Sequence, residues 1–432
     1  MISLSRRAFL QSTGAAAAAA ALPASARALG ANERVRVGVM GVSRAYGNPK
    51  NPGRGSTLAH GVARLPGAEV AYVCDVDDHH LSACAAEVAA LQPRKPEAVK
   101  DFRRILDDKT VDALLIATPD HLHTPAAVLA CAAGKHVYVE KPCSHNPREG
   151  ELLVEAARKH ARVVQHGTQR RSWHREAIQA LREGAIGRVL QAKCYYLFTD
   201  RPSIGRGKEV APPAGLDWTL WQGPAPERPY RDNVVHYQWH WFWHWGTGEL
   251  GNNGVHTIDV ARWGLGVDLP ARVTSAGGRL RYDDDQETPD THLATFVFPN
   301  GTMIAWEGRS WGGKRPTDPQ AQVVFYGDRG TLAISGGAYV IYDKGDVEVA
   351  KGSSKSGDAE HLQNWIDGIR GAAALHAEIE EGVKSTLLCH LGNIAWRTGK
   401  TLKPGPGGRV SGDPEVDALW SREYRPGWEP KV

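Results

Sequence analysis

No two of the six cysteines (Cys74, Cys84, Cys131, Cys143, Cys194 and Cys389) stand in a Cys-x-x-Cys pair, and none clusters with paired histidines. That excludes the usual structural zinc motifs, so no metal is expected. Cys74 lies in an apolar strand-like run and Cys131 in an alanine-rich helix, where free buried thiols are the ordinary state, and no essential disulfide is expected. Charge of one sign is scarce too. The formal net charge is only +4 over 432 residues, and the basic residues are scattered rather than interleaved with aromatics, which argues against nucleic acid as a partner. No run is long and apolar enough to cross a bilayer, so no stable membrane span is expected. There is no internal repeat.

What the chain does contain is enough apolar sequence, 42% of residues, to bury the cores of two or three units. Its first 32 residues are read as separate from the fold. Ser5-Arg6-Arg7-Ala8-Phe9-Leu10-Gln11, an alanine-rich stretch from Gly14 to Leu22 and small residues at Ala24-Ser25-Ala26 and Ala26-Arg27-Ala28 match a twin-arginine export signal and linker. The expectation is recognition by the twin-arginine translocase and a periplasmic or otherwise exported location.

From residue 33 to 167 apolar strands alternate with helical segments, which predicts a doubly wound parallel sheet. The strands are placed at Val35 to Met40, Val70 to Cys74, Ala113 to Ala117, Val137 to Glu140 and Val163 to His166, with helices beginning near Ser56, His79, Thr124 and Arg148. After Gln169 the rhythm changes. A helix near His174 to Glu183 precedes longer alternating runs at Val189 to Phe198, Val273 to Leu280, His292 to Phe298 and Gln322 to Tyr326. Turn signals at Pro299-Asn300-Gly301 and Gly327-Asp328-Arg329-Gly330 suit hairpins. The fold class expected is α/β, with an N-terminal Rossmann dinucleotide-binding domain (33–167). An α+β domain with a mainly antiparallel open sheet (168–400) follows, for substrate binding and oligomerisation, and then a C-terminal extension (401–432). Helices Glu360 to Gly371 and Glu378 to Arg397 are expected to pack back near the first domain.

Val37-Gly38-Val39-Met40-Gly41 ends the first strand, and Gly53-Arg54-Gly55-Ser56 opens a helix. Such a glycine turn lets the backbone approach a pyrophosphate that sits on the helix N-terminus. Ser43 takes the place of the second glycine, and residues 44–52 look inserted into the turn, with Arg54 just beyond. Asp75 ends the second strand, where an acidic side chain bonds the adenosine ribose and repels a 2′-phosphate; NAD is therefore favoured over NADP. Its distance from Gly41 exceeds the usual roughly twenty residues, an excess the insertion explains. Lys141, delivered at the carboxyl end of a parallel strand, points into the crevice where such sheets bind ligands.

These segments resemble the Gfo/Idh/MocA family of NAD(P)-dependent sugar and polyol oxidoreductases from about residue 34 to 400. The resemblance rests on Gly38-Val39-Met40-Gly41, Val73-Cys74-Asp75, Ala117-Thr118-Pro119-Asp120-His121-Leu122-His123, Glu140-Lys141-Pro142, Gly167-Thr168-Gln169-Arg170 and Gly254-Val255-His256-Thr257-Ile258-Asp259. It implies that Thr118, Pro119 and His123 line the nicotinamide side of the groove, that Glu140 sits near the nicotinamide ribose and that Gln169 borders the pocket. Lys141 would hydrogen-bond the reacting hydroxyl, and His256 would be the base. Asn252 stands where the family commonly has Asp. An amide accepts no proton, so Asn252 is expected to orient His256 or a substrate hydroxyl. His121 is expected at the surface.

Tyr237 to Trp245 is the densest aromatic stretch. It suits either a carbohydrate subsite, with His240 or His244 bonding hydroxyls, or a half-buried strand or interface. Tyr195 and Arg170 are further substrate candidates. An exported nicotinamide enzyme is most simply one that holds NAD tightly and regenerates it each cycle. Two schemes of that kind stay open: net oxidoreduction between sugars, and redox-neutral glycoside hydrolysis through a 3-keto intermediate. A third reading, of another class, is a nucleotide-binding scaffold without turnover. A small carbohydrate substrate and a homo-oligomer complete the expectation.

Overall fold

All the strands expected before residue 168 form, and they pair in parallel around Val35–Met40. In this computed structural model residues 34–45, 48–197, 201–312, 321–354 and 357–432 are described, so the export signal read in residues 1–32 lies outside them. The first sheet runs Glu97–Val99, Ala68–Cys74, Val35–Met40, Ala113–Ile116, His136–Val139, Val164–His166. The strand order reverses beside Val35–Met40, which opens a ligand crevice at the carboxyl ends of the strands. Glu97–Val99 escaped the sequence reading because it is a short edge strand whose first two residues are exposed, and so carries no apolar signal.

The longer helices between these strands are Arg54–Arg64, Asp78–Ala89, Asp120–Ala132 and Pro147–Lys159. The third starts four residues before Thr124, the start the sequence suggested. Pro125, the sixth residue, lies inside it, removing one i→i−4 hydrogen bond without ending the helix. His121 therefore lies inside the helix and is fully buried, not at the surface; its Nε2 bonds the Trp221 carbonyl.

The second sheet has eight strands, in the order Arg272–Gly278, Thr291–Val297, Met303–Arg309, Val189–Leu197, Val323–Gly327, Gly330–Ser335, Ala338–Asp343, Glu348–Ser353. Every pairing is antiparallel except that of Met303–Arg309 with Val189–Leu197, and both expected hairpin turns are present. One face of this sheet packs Phe296, Trp306 and Phe325 against the helices Val255–Leu265 and Ile379–Thr398. Helix Asp358–Ile369 instead completes the first domain, placing Leu362, Trp365 and Ile366 in one core with Val37, Leu58 and Tyr138. The C-terminal segment folds back as well. Trp420 joins the second core, and Trp428 packs against the first, near Phe102. All six cysteines are buried free thiols. Among the described residues no helix is long and apolar enough to span a membrane.

Residues 237–245 do not form a strand. Gln238–Trp241 is a 3-10 turn, and Trp239, Trp241, Phe242 and Trp245 close a small aromatic core with Trp221 and Tyr230. This core is laid over the crevice. Asp217 N donates to the Val76 carbonyl, and Lys100 Nζ reaches the Gly215 carbonyl.

Candidate functional site

The crevice holds a cavity of about 780 Å³ running from the glycine turn to Lys141. At the turn, Gly53 N donates to Ser43 O at 2.9 Å, so the chain leaves at Ser43 and returns beside it. Within the insertion, Arg44–Ala45 pair antiparallel with Asn48–Pro52. Gly41 has φ +87°, and a Cβ on Gly55 would lie 2.0 Å from the Gly41 carbonyl oxygen. Only glycines fit this close approach, which leaves the start of helix Arg54–Arg64, with no side-chain cap on its first N–H groups, open to an anionic group. Asp75 borders the same cavity, and burial pushes its carboxyl up to about 6, so it is ionised at neutral pH. A glycine cradle, an uncapped helix start and a buried carboxylate at the end of the second strand fit NAD.

At the other end, Lys141 Nζ donates to the backbone oxygen of Asn252 at 2.7 Å and to its Oδ1 at 2.9 Å. An ammonium has three protons, so one stays available for a ligand. Asn252 thus orients Lys141, and the expected contact with His256 gives way to this one. Burial lowers the Lys141 pKa, with Glu140 and Asp120 opposing. His256 sits in the first turn of helix Val255–Leu265 and borders the cavity. Burial first, then the cations Lys141, Arg170 and Arg54, hold it well below the ordinary imidazole range. Its ring is therefore neutral, and its Nδ1 has no hydrogen-bond partner among the described residues.

The remaining predicted residues divide between cavity and scaffold. Gly41, Ser43, Arg54, Thr118, Pro119, His123, Glu140, Gln169 and His240 line the cavity. Glu140 is a hub: its Oε1 accepts from Arg54 Nε at 2.7 Å and Gln169 Nε2 at 2.9 Å, and Arg54 bridges on to Asp358. His123 is a brace, with Nδ1 on Pro142 O and Nε2 on Thr118 O. His240 stacks on Trp239 at 3.6 Å, and burial takes it down to about 3.

Three substrate candidates do not reach the cavity. Tyr195 faces the other side of the sheet, beside Val324 and Ala333, and its neighbour Tyr196 lines the cavity instead. His244 bonds the Pro226 carbonyl and packs on Trp245. Arg170 does not line the cavity, and its charge is one of those that lower the His256 pKa.

The structure adds residues that sequence reasoning missed. Glu249, one helical turn before Asn252, borders the cavity, and burial raises its pKa; it restores a carboxylate near Lys141 where Asn252 removes one. Asp120 also borders the cavity; its Oδ2 accepts from Thr247 Oγ1, and burial pushes its carboxyl up to about 7. Arg201 lies 3.8 Å from the Trp241 ring and lines the cavity with it. The family motif pointed at Asn252, and only the π-helical turn Leu250–Gly254 shows that Glu249 faces the same space.

Comparison with known proteins supplies the remaining observations. Residues 35–168 match the model of the oxidoreductase family with an NAD-binding Rossmann fold, and residues 221–333 match the GFO/IDH/MocA C-terminal domain. The levoglucosan dehydrogenase of Pseudarthrobacter phenanthrenivorans is 29% identical over 241 residues, 50% of this chain and 55% of that protein. A glycosyl hydrolase family 109 protein of Parabacteroides distasonis is 25% identical over 56% of this chain and 53% of its own. The chain thus spans about half the length of these curated relatives. The fold is shared with the WlbA dehydrogenase from Bordetella pertussis, solved with NADH and UDP-GlcNAcA, at a TM-score of 0.62 and 21% identity over 86% of this chain and 99% of that one.

Proposed function

Because this chain belongs to the Gfo/Idh/MocA family of NAD-binding oxidoreductases, we propose that it oxidises or reduces a hydroxyl-bearing carbon of a sugar or sugar derivative by hydride transfer. The observation that carries this reading is Lys141, held by two bonds to Asn252 with its third proton free, in one cavity with a neutral His256. Bound NAD would supply the hydride acceptor, held by Gly41, Gly55 and Asp75. Lys141 fixes the reacting hydroxyl and stabilises negative charge on its oxygen, and His256 takes the hydroxyl proton. Tyr196, Arg201 and Trp241 offer hydrogen bonds and an aromatic face to the ring.

A redox-neutral glycosidase is the second reading, favoured by Glu249. Elimination and re-addition at a keto sugar need an acid or base beyond Lys141 and His256, and a buried carboxyl with a raised pKa suits that role. In either scheme we take residues 1–32 to be a twin-arginine signal and the cofactor to be held through export and turnover.

Purified full-length protein, first denatured in part to identify its nucleotide, tests this against a panel of sugars, anhydrosugars and glycosides. Reduction of the bound cofactor by a sugar supports the oxidoreductase. Aglycone release without net reduction supports the glycosidase, and bound nucleotide inert to every compound supports a scaffold.

A further inference from the structure

Asp77 and His80 lie at the start of helix Asp78–Ala89, just past Asp75, while His236 comes from the aromatic segment laid over the crevice. One ligand atom from each lies within 4.8 Å of the others. Asp77 Oδ1 caps the helix by accepting from His79 N and His80 N, which leaves Oδ2 3.3 Å from His236 Nε2. Two ligands at about 2.1 Å on a tetrahedral ion lie about 3.4 Å apart, so this pair already has the separation of two ligands on one ion. His80 is only 6% exposed, and its Nδ1 has no hydrogen-bond partner among the described residues. Its ring is 4.2 Å from that of His236 and tilted 56°, which is not a stacking geometry.

We propose that Asp77, His80 and His236 bind a divalent first-row transition-metal ion of the zinc, cobalt or nickel class. Two imidazoles and a carboxylate suit these borderline ions and not calcium or magnesium, which take mostly oxygen ligands. Three protein ligands leave at least one position for water. No short motif marks these ligands; the docking of the aromatic segment on the first domain, through Asp77 with Leu216 and Asp217 with Val76, brings them together. The ion ties that segment to the domain at the end of the crevice where Asp75 lies, and so slows dinucleotide release.

The test uses full-length protein with its nucleotide, stripped of metal by EDTA and dialysed. Addition of Co²⁺ is expected to give visible d–d absorption bands saturating at one equivalent and displaced by Zn²⁺. His80→Ala and His236→Ala should each weaken binding at least tenfold. His236 is half-buried at most, so its variants are expected to fold, and His236→Cys should retain binding and add a thiolate-to-cobalt charge-transfer band. Absence of stoichiometric Co²⁺ binding overturns the proposal and leaves Asp77–His236 as an ion pair. Binding that persists unchanged in His236→Ala, with no new band in His236→Cys, overturns it equally.

Discussion

Lys141 concentrates the chemistry at the residue scale, because its position follows from a strand end and its direction from Asn252. Lys141→Ala should leave nucleotide bound yet slow single-turnover reduction at least the roughly hundredfold associated with a positioned acid–base group. Asn252→Asp would put a carboxylate against the ammonium, which favours its charged form, so the alkaline limb of the pH–rate profile should move to higher pH. A profile that stays in place would mean that Lys141 does not set that limb. Asp120 makes a separate prediction about stability. Its carboxyl titrates near 3.9 in the unfolded chain and at about 7 in the fold. Between those values the native state keeps a proton that the unfolded state has lost, so stability falls as pH rises from about 4 to 7. Asp120→Asn should remove that component, and thermal melts across this range would show a flatter slope. At this scale the sequence was legible where a motif fixes the backbone, as at Gly41, Asp75, Lys141 and His256. It failed where neighbours in one run differ only by the face they take. Tyr195 and Tyr196 are chemically alike, and only packing of the sheet decides which reaches the crevice.

At the scale of elements, the glycine turn shows how an insertion can leave a binding geometry intact. Residues 44–52 interrupt the sequence pattern, but the Ser43–Gly53 hydrogen bond closes the turn as if they were absent. The sequence could predict that an insertion was present, not that its ends meet. Strands Ala338–Asp343 and Glu348–Ser353 went unassigned for another reason: most of their positions are at least partly exposed, so little apolar alternation marks them. Gly55→Ala tests the element as a unit. Its Cβ would meet the Gly41 carbonyl oxygen at 2.0 Å, so helix Arg54–Arg64 must shift away from the turn. The variant is expected to purify without nucleotide and to bind added NAD at least tenfold more weakly by calorimetry. A normal nucleotide content would show that the helix start does not hold the pyrophosphate.

For the whole molecule, the described residues leave one face of the second domain's sheet without a helix. Tyr195, Leu197, Val324 and Ala333 lie on it and are buried largely by one another and by Tyr326 and Tyr342, while Leu293 on the same side is 48% exposed. Eight strands spaced by about 4.8 Å, each about six residues long at roughly 3.4 Å per residue, give a face of roughly 700 Å². That approaches the ~800 Å² per partner that a specific interface buries. A second copy of the chain offers the same face in return, which is the self-complementarity a two-fold dimer requires. We expect a dimer in light scattering coupled to size exclusion, with Tyr195→Glu and Val324→Asp shifting it to monomer while bound nucleotide is retained, since neither residue touches the crevice. A wild-type monomer at micromolar concentration would remove the interface and variants that stay dimeric would place it elsewhere; either returns Tyr195 to a purely internal packing role.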